Sequence, residues 1–141
     1  MERYLGKFEP YIYAIFRIIV GFLFVWHGTQ KLFGFPPSNQ PAQPLNAFMA
    51  TAGTIEFVCG LLILLGLFAG FAAFLASGTM AVAYFMAHAS AGFLPLVNRG
   101  ELAVLYCFAF LYIASRGSGL LSLDSLIFGN RSSARGARER I

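Results

Sequence analysis

The sequence predicts an all-α integral membrane protein: a four-helix bundle followed by a short interfacial helix near the C-terminus. The chain has 141 residues, of which 58% are hydrophobic and only 11% are charged. Soluble domains carry about 25% charged residues, so this chain lacks the polar groups to cover a globule of its size. The mean hydropathy of +0.71 agrees. Because one helical span takes about 20 residues, the length allows four spans in a single membrane domain, residues 1–141.

The same composition excludes other classes of protein. Intrinsic disorder requires low hydrophobicity, and a disulfide-stapled secreted domain requires densely spaced cysteines. Cys59 and Cys107 instead lie far apart in apolar segments, where we predict small buried hydrophobic residues. The net charge is +4, but its excess falls in a tail that suits anionic lipid rather than nucleic acid. That tail carries Arg131, Arg135, Arg138 and Arg140.

The first two spans are predicted at residues 11–33 and 45–68. Pro10 suits the first turn of a helix, where the missing N–H has no partner to lose. The first apolar run lacks a small-residue cleavage site, so we expect no signal peptide. A Pro-rich loop, residues 34–44, separates the two spans, and its four prolines prevent regular helix. Asn46 is a candidate N-cap for the second span.

The third and fourth spans are predicted at residues 71–91 and 101–115. Gly66 and Gly70 are expected to supply the left-handed geometry of a tight turn before the third span. The third span is rich in Ala, Gly and Ser, and small residues mark faces where membrane helices approach closely. We therefore expect it to be the most buried span. A loop at residues 95–100 leads into the fourth.

The last apolar segment, residues 120–128, is too short to cross a bilayer. It is predicted to be a helix lying at the membrane interface, with Ser122 or Asp124 as its cap. The tail, residues 129–141, is expected to be mobile.

The distribution of basic residues predicts the orientation. Four spans place both termini on one side, which carries Arg3, Lys7 and the tail arginines. The other side carries Arg99, with Lys31 at its border. By the positive-inside rule both termini are cytoplasmic, and the Pro-rich loop faces outward.

Ionisable residues within the spans are the candidates for function, because a charge in hydrocarbon costs at least about 2.5–3.5 kcal/mol. At about 1.5 Å per residue, Lys31 and Glu101 lie nearest the outer boundary, Glu56 near the midplane and Arg17 deeper. Seven such residues lie in or at the ends of the spans: Arg17, His27, Lys31, Glu56, His88, Glu101 and Arg116.

One polar cavity open to the outside is the simplest arrangement for the outer residues. His27 and Lys31 are four residues apart and share a helix face. Two hypotheses fit such a cavity: a site for a polar head group or a proton relay, and a buried network that only fixes helix register. We predict that Glu56 lies within reach of Arg17 or His27. The cavity comprises His27, Lys31, Glu56, His88 and Glu101.

No metal site is predicted. Two histidines and two carboxylates are suitable ligand types, but the histidines fall on separate spans and no HxxxH or ExxH pair occurs. The sequence also shows no flavin, haem or iron–sulfur motif, so we expect no intrinsic cofactor.

Glycines and polar residues recur in a characteristic order along the chain, with the patterns R-x(10)-G-x-x-K from Arg17 and E-x-x-x-G from Glu56 contributing most. The positions are Arg17, Gly21, Phe24, Gly28, Lys31, Leu32, Glu56, Gly60, Leu62, Leu65, Gly66, Met80, Asn98, Gly100, Glu101, Ser122, Leu123 and Asp124. This order resembles the DoxX family of small four-span bacterial inner-membrane proteins, from about residue 13 to 128.

This resemblance implies the fold more strongly than the chemistry. It implies polar positions at Arg17, Lys31, Glu56, Asn98, Glu101 and Asp124; we assign Asp124 and Arg116 structural roles and keep Asn98 as a binding candidate. The family takes its name from a subunit of a thiosulfate:quinone oxidoreductase.

The leading functional hypothesis is a membrane component of an oxidoreductase system that binds a quinone-type head group. Lys31 and His27 or His88 would donate hydrogen bonds, and Glu56 would pass protons. Electrons would come from a partner subunit. The alternatives are a non-enzymatic scaffold or assembly partner, and a small transporter that would need to form a homo-oligomer.

Overall fold

The computed structural model describes residues 1–41 and 44–129, and this part of the chain contains helices and no strand. The all-α prediction is therefore confirmed. The tail arginines lie outside the described residues. The helices are α1 (Glu2–Leu5), α2 (Glu9–Phe33), α3 (Ala47–Leu65), α4 (Ala69–Ala83), α5 (Pro95–Asn98), α6 (Glu101–Arg116) and α7 (Leu123–Phe128).

Within residues 1–41 and 44–129, three helical stretches are long and apolar enough to cross a membrane. They are Glu2–Phe33, which joins α1 and α2 through a 3₁₀ turn, Ala47–Leu65 and Ala69–Ala91. The last continues α4 through a π-helical turn at Tyr84–His88. Helix α6 has 16 residues, about 24 Å at 1.5 Å per residue, which is short for a span. The share of buried residues in the apolar 18-residue window is 39% in the third stretch, against 28% in the first and 33% in the second. The third stretch is therefore the most buried of the three, as its small residues predicted.

The helices pack in chain order, α2 on α3, α3 on α4 and α4 on α6. The core contains aromatic and branched side chains from three of these helices. Phe24 of α2 and Phe110 of α6 meet edge-on, with 4.5 Å between ring centroids, and Ile63 of α3 lies in the same buried cluster. This contact brings α6 back beside α2.

Glycines set the distance between α2 and α3. A Cβ on Gly21 would lie 2.6 Å from the backbone nitrogen of Leu64, and one on Gly60 would lie 2.8 Å from Val25. Gly28 is in a similar position against Phe57. No side chain fits at these points, so the two backbones touch along about two turns.

The turn between α3 and α4 differs in one detail from the sequence prediction. Gly66 ends α3 with φ +69°, as expected. The second left-handed residue is Phe68, at φ +48°, whereas Gly70 is already helical and faces the backbone of α6. Asn46 caps α3, because its side chain accepts a hydrogen bond from the Met49 N–H at 2.9 Å.

Candidate functional site

Arg17 is fully buried, and its guanidinium lies at the C-terminal end of α3. Nη1 donates to the carbonyls of Ile63 at 2.6 Å and Leu64 at 2.9 Å. Nη2 donates to the carbonyls of Leu120 at 3.2 Å and Leu121 at 2.8 Å. The last carbonyls of a helix have no partner within it; the Ile63 carbonyl also accepts from the Gly66 N–H at 3.2 Å, and Arg17 adds the donor for Leu64.

Asp124 lies at the other side of the same turn, at the N-terminal end of α4. Its Oδ2 accepts from the Phe68 N–H at 2.9 Å and from the Ser118 hydroxyl. Ser118 in turn accepts from the Ala69 N–H at 3.2 Å. The Asp124 N–H donates to the Gly66 carbonyl at 3.0 Å. Ser122 provides the cap of α7, so Asp124 caps α4 instead.

We call Arg17, Ser118 and Asp124 the helix-end cluster. A cation at a helix C-terminus and an anion at a helix N-terminus both stabilise the helix dipole. In the helix-end cluster, Arg17 lies at the C-terminus of α3 and Asp124 at the N-terminus of α4, the two helices that meet at Gly66. The same bonds fix the chain after α6 against these two helices.

Arg116 joins the end of α6 to the start of α2. Its guanidinium forms an ion pair with Glu9 and lies 4.7 Å from the centroid of the Tyr13 ring. The Tyr13 hydroxyl donates to the Gly117 carbonyl. These contacts tie the end of α6 to the start of α2, and the structural role of Arg116 stays a prediction.

At the far end of α2, Lys31 pairs with Glu56. The Lys31 ammonium bonds Glu56 Oε1 across the α2–α3 contact. Glu56 is 1% exposed, and its Oε2 has no partner among the described residues. The partner of Glu56 is thus Lys31, and Arg17 lies about 21 Å away along α2, 14 residues at 1.5 Å each.

A groove of about 1310 Å³ opens beside this pair. It lies among α2, α3, α4 and the Pro-rich loop. Lys31, His27 and His88 contribute the ionisable groups of its wall. The part of the wall formed by α3 and α4 includes Thr51, Ile55, Phe74, Leu75, Gly78 and Thr79.

The two histidines reach the groove in different ways. His27 is half-buried, and its ring meets the Tyr106 ring edge-on at 5.6 Å. His88 lies in the π-helical turn, with Nδ1 3.2 Å from the Asn98 carbonyl. A carbonyl only accepts hydrogen bonds, so Nδ1 carries the proton, and Nε2 of the neutral ring is an acceptor.

Asn98 supports His88 rather than lining the groove. Its side-chain amide donates to the Tyr84 hydroxyl at 3.1 Å and to the Gly92 carbonyl at 2.6 Å. Its oxygen accepts from the Gly100 N–H at 2.8 Å. These bonds fold the chain after the π-helical turn back on itself and hold the carbonyl that faces His88.

The structure therefore divides the candidate residues. His27, Lys31 and His88 line one groove with Glu56 behind Lys31, and we call these four the groove cluster. Glu101 is exposed at the start of α6 and does not line the groove. Arg17 belongs to the helix-end cluster. In residues 1–41 and 44–129, no three His, Cys, Asp or Glu side chains are placed to hold a metal ion.

Sequence reasoning missed two contributors to the groove. The Pro-rich loop contributes Pro37, Ser38 and Gln40 to its wall, and Gln30 ties this loop to α2 by donating to the Pro36 carbonyl at 2.9 Å. Gly78 opens the wall on α4, because a Cβ there would meet no atom within 4 Å. The spacing of Gly21, Gly28, Gly53 and Gly60 in sevens was the available signal for the α2–α3 contact.

The fold and the groove define a helical membrane protein with a pocket at one end of its helices. The DoxX family model matches residues 12–89. An uncharacterized protein of Haemophilus influenzae is 41% identical over 129 residues, 88% of this chain and 96% of the relative. The chain belongs to the DoxX family. No solved structure matches it.

Proposed function

We propose that the groove binds a quinone-type head group and that the protein is the membrane component of an oxidoreductase system. The observation that carries this proposal is the groove itself, which has polar groups at one end and an apolar wall elsewhere. A quinone needs donors for its ring oxygens and an apolar path for its chain. The groove offers both within one protein.

The groove cluster supplies the groups that such a head group requires. Lys31 is 28% exposed at its side chain, so the ammonium can donate to a ring oxygen while Glu56 holds it in place. Glu56 Oε2 has no partner among the residues that the structure describes, and it can accept a proton. When bound, a quinone takes up two electrons and two protons. A partner subunit would supply the electrons.

We also propose the topology. Helix α6 would form a fourth crossing, with both termini in the cytoplasm of a bacterium and the protein in its inner membrane. Arg3 and Lys7 on the terminal side, against Arg99 on the other, support this orientation. The groove would then open outward.

Cysteine labelling tests the topology. Ser38→Cys should react with a membrane-impermeant maleimide in intact cells, and Lys7→Cys should react only after the cells are lysed. Labelling of Lys7→Cys in intact cells would overturn the orientation. Native Cys59 is buried and Cys107 half-buried, so the wild-type protein measures the background.

Fluorescence tests quinone binding directly. Trp26 is the single tryptophan and precedes His27, so a quinone in the groove should quench its emission. We expect saturable quenching in detergent or nanodiscs, with Lys31→Met and the Lys31→Met/Glu56→Gln double variant weakened by about tenfold, the loss of one charge-assisted hydrogen bond. Glu101→Gln is the matched control and should bind as the wild type does.

Two other outcomes would redirect the proposal. No saturable quenching in the wild type, with unchanged quinone reduction in membranes carrying Glu56→Gln, would remove the quinone site. Recovery of a stable soluble partner, with groove-cluster variants lowering abundance but not activity, would favour the scaffold hypothesis. Uptake of a solute by liposomes containing the purified protein would favour the transporter.

A further inference from the structure

The groove is polar at one end only. Its ionisable groups, His27, Lys31 and His88, come from the ends of α2 and of the helical stretch that continues α4. The wall toward the middle of α4 is formed by Phe74, Leu75 and other apolar residues. A molecule that fills the groove must therefore carry its polar groups at one end.

The threonines in this wall do not change its character. The Thr51 hydroxyl donates to the Ala47 carbonyl at 2.7 Å, and the Thr79 hydroxyl donates to the Leu75 carbonyl at 2.9 Å. Each is a bond to the preceding turn of its own helix. With these donors engaged, the surface along α3 and α4 accepts a hydrocarbon chain without leaving a donor unpaired.

The apolar end of the groove is open sideways. Phe74 is 67% exposed and Leu75 is 46% exposed, and in a membrane such surfaces face lipid. Between them and the polar end lies Gly78, where a Cβ would meet nothing within 4 Å. A chain can thus pass over Gly78 from the bilayer to the polar end.

The charge at the polar end selects the head group. Lys31 is already paired with Glu56, so the two together carry no net charge. When the His88 ring is neutral, Nε2 is its acceptor nitrogen, because Nδ1 donates to the Asn98 carbonyl. A phosphate would require a cation free of its counter-charge, whereas an uncharged ring with carbonyl or hydroxyl oxygens is matched by one donor and one acceptor.

We infer that the groove admits its ligand sideways from the bilayer between α3 and α4, and that this ligand is an uncharged ring carrying a long hydrocarbon chain that lies over Gly78. The inference rests on the proposed function and adds the route and the class of quinone. It distinguishes a lipid-soluble quinone, held along its chain, from a short water-soluble one, held by its ring alone.

Gly78→Leu tests the route. The Cβ of the leucine would meet no atom within 4 Å, and the rest of its side chain would extend into the path of the chain. Binding of a long isoprenoid quinone should therefore weaken by about tenfold, the loss expected from displacing about two methylenes. A chainless quinone with the same ring should bind Gly78→Leu within about twofold of wild type. Thr54→Leu is the matched control, since Thr54 is exposed on α3 and does not line the groove; it should change neither affinity.

The failures are distinguishable. If neither quinone quenches Trp26 in the wild type, the proposed function fails. If the wild type binds both and Gly78→Leu leaves long-chain binding unchanged, or weakens both equally, the sideways route is wrong. If an anionic phospholipid added to zwitterionic nanodiscs displaces the quinone, the uncharged head group is wrong.

A second form of the experiment introduces the bulky group only after the protein has folded, so that it cannot disturb folding. Gly78→Cys adds only one carbon and one sulfur atom and can be labelled with a bulky maleimide after purification. Labelling should abolish saturable binding of the long-chain quinone and spare the chainless one. Labelled wild type controls for Cys107. Unchanged long-chain binding after complete labelling would contradict the route.

Discussion

The two polar clusters of this protein lie at opposite ends of α2 and use their charges differently. In the helix-end cluster, Arg17 donates to four carbonyls and Asp124 accepts from a helix N-terminus. In the groove cluster, Lys31 and Glu56 bond each other beside an open groove. Arg17 and Asp124 thus bond backbone groups at helix ends, whereas Lys31 and Glu56 bond each other side chain to side chain.

This difference helps to distinguish charged residues that stabilise the fold of a membrane protein from charged residues that serve its function. Backbone groups at helix ends are always present and need partners, so a charge that satisfies them is explained by the fold. A side-chain pair at the wall of a groove satisfies no backbone group, so its presence calls for another reason. Burial alone does not separate them, because Arg17 and Glu56 are 0% and 1% exposed.

The largest effect is expected at the helix-end cluster. Arg17→Met removes a donor from four carbonyls. The Ile63 carbonyl keeps the Gly66 N–H, and each buried acceptor left alone costs about 1–3 kcal/mol. Partial rebonding should leave a net loss of about 4 kcal/mol, and Arg17→Lys should recover part of it. Unfolding in detergent, followed by Trp26 emission, measures the loss. A stable Arg17→Met that fails to bind quinone would move Arg17 into the functional class.

The groove cluster should respond differently to single and double changes. Lys31→Met leaves the Glu56 carboxylate buried without its counter-charge, which we expect to cost about 3 kcal/mol. The double variant Lys31→Met/Glu56→Gln removes both charges and should recover most of that stability, but not quinone binding. Chemical unfolding and Trp26 quenching are measured on the wild type, Lys31→Met, Glu56→Gln and the double variant, which together form a double-mutant cycle. Recovery of both properties would show that the pair is structural only.

The sequence alone predicted the helices well because hydrophobicity and helix ends are local signals. The Pro-rich loop, Asn46 and Gly66 each act on their own neighbours, so their effects could be foreseen. The partner of Glu56 depended on how α2 and α3 meet. That contact is set by Gly28 against the backbone of Phe57, and it brings Lys31 to Glu56.

The roles of Arg17 and Glu101 were not foreseeable from depth. Depth along a helix gives one coordinate, and the direction of a side chain gives another. Arg17 turns to the end of α3, whose unpaired carbonyls lie within reach of a long side chain. Glu101 follows the compact turn held by Asn98, which leaves it exposed at the start of α6.

A glycine pair tests whether the groove cluster depends on the α2–α3 contact. Gly28→Ala places a methyl group against the Phe57 backbone and should cost about 2 kcal/mol by forcing the helices apart. It should also weaken quinone binding, because His27 and Lys31 flank Gly28. Gly78→Ala is the control and should alter stability little, since its Cβ meets no atom. Equal stability of the two variants, by thermal unfolding, would contradict this account.

A smaller effect is expected from Asp124→Asn. The amide oxygen can still accept from the Phe68 N–H, so only the negative charge at the N-terminus of α4 is lost. The expected cost is about 1 kcal/mol, with quinone affinity unchanged. Unfolding curves and Trp26 quenching measure the two. A loss of affinity without a loss of stability would link the helix-end cluster to the ligand.

The smallest effect on stability and quinone affinity is expected from Glu101→Gln. This variant tests where the groove ends. Glu101 is exposed and lies outside the groove wall, and exposed substitutions usually change stability by less than about 0.5 kcal/mol. Quinone affinity should stay within about twofold of the wild type. A larger loss of affinity would place Glu101 at the ligand, and the groove would have to extend from α4 to the start of α6. We assign the polar end of the groove to α2 and the π-helical turn, and we give α6 a supporting role only. That assignment would then be wrong.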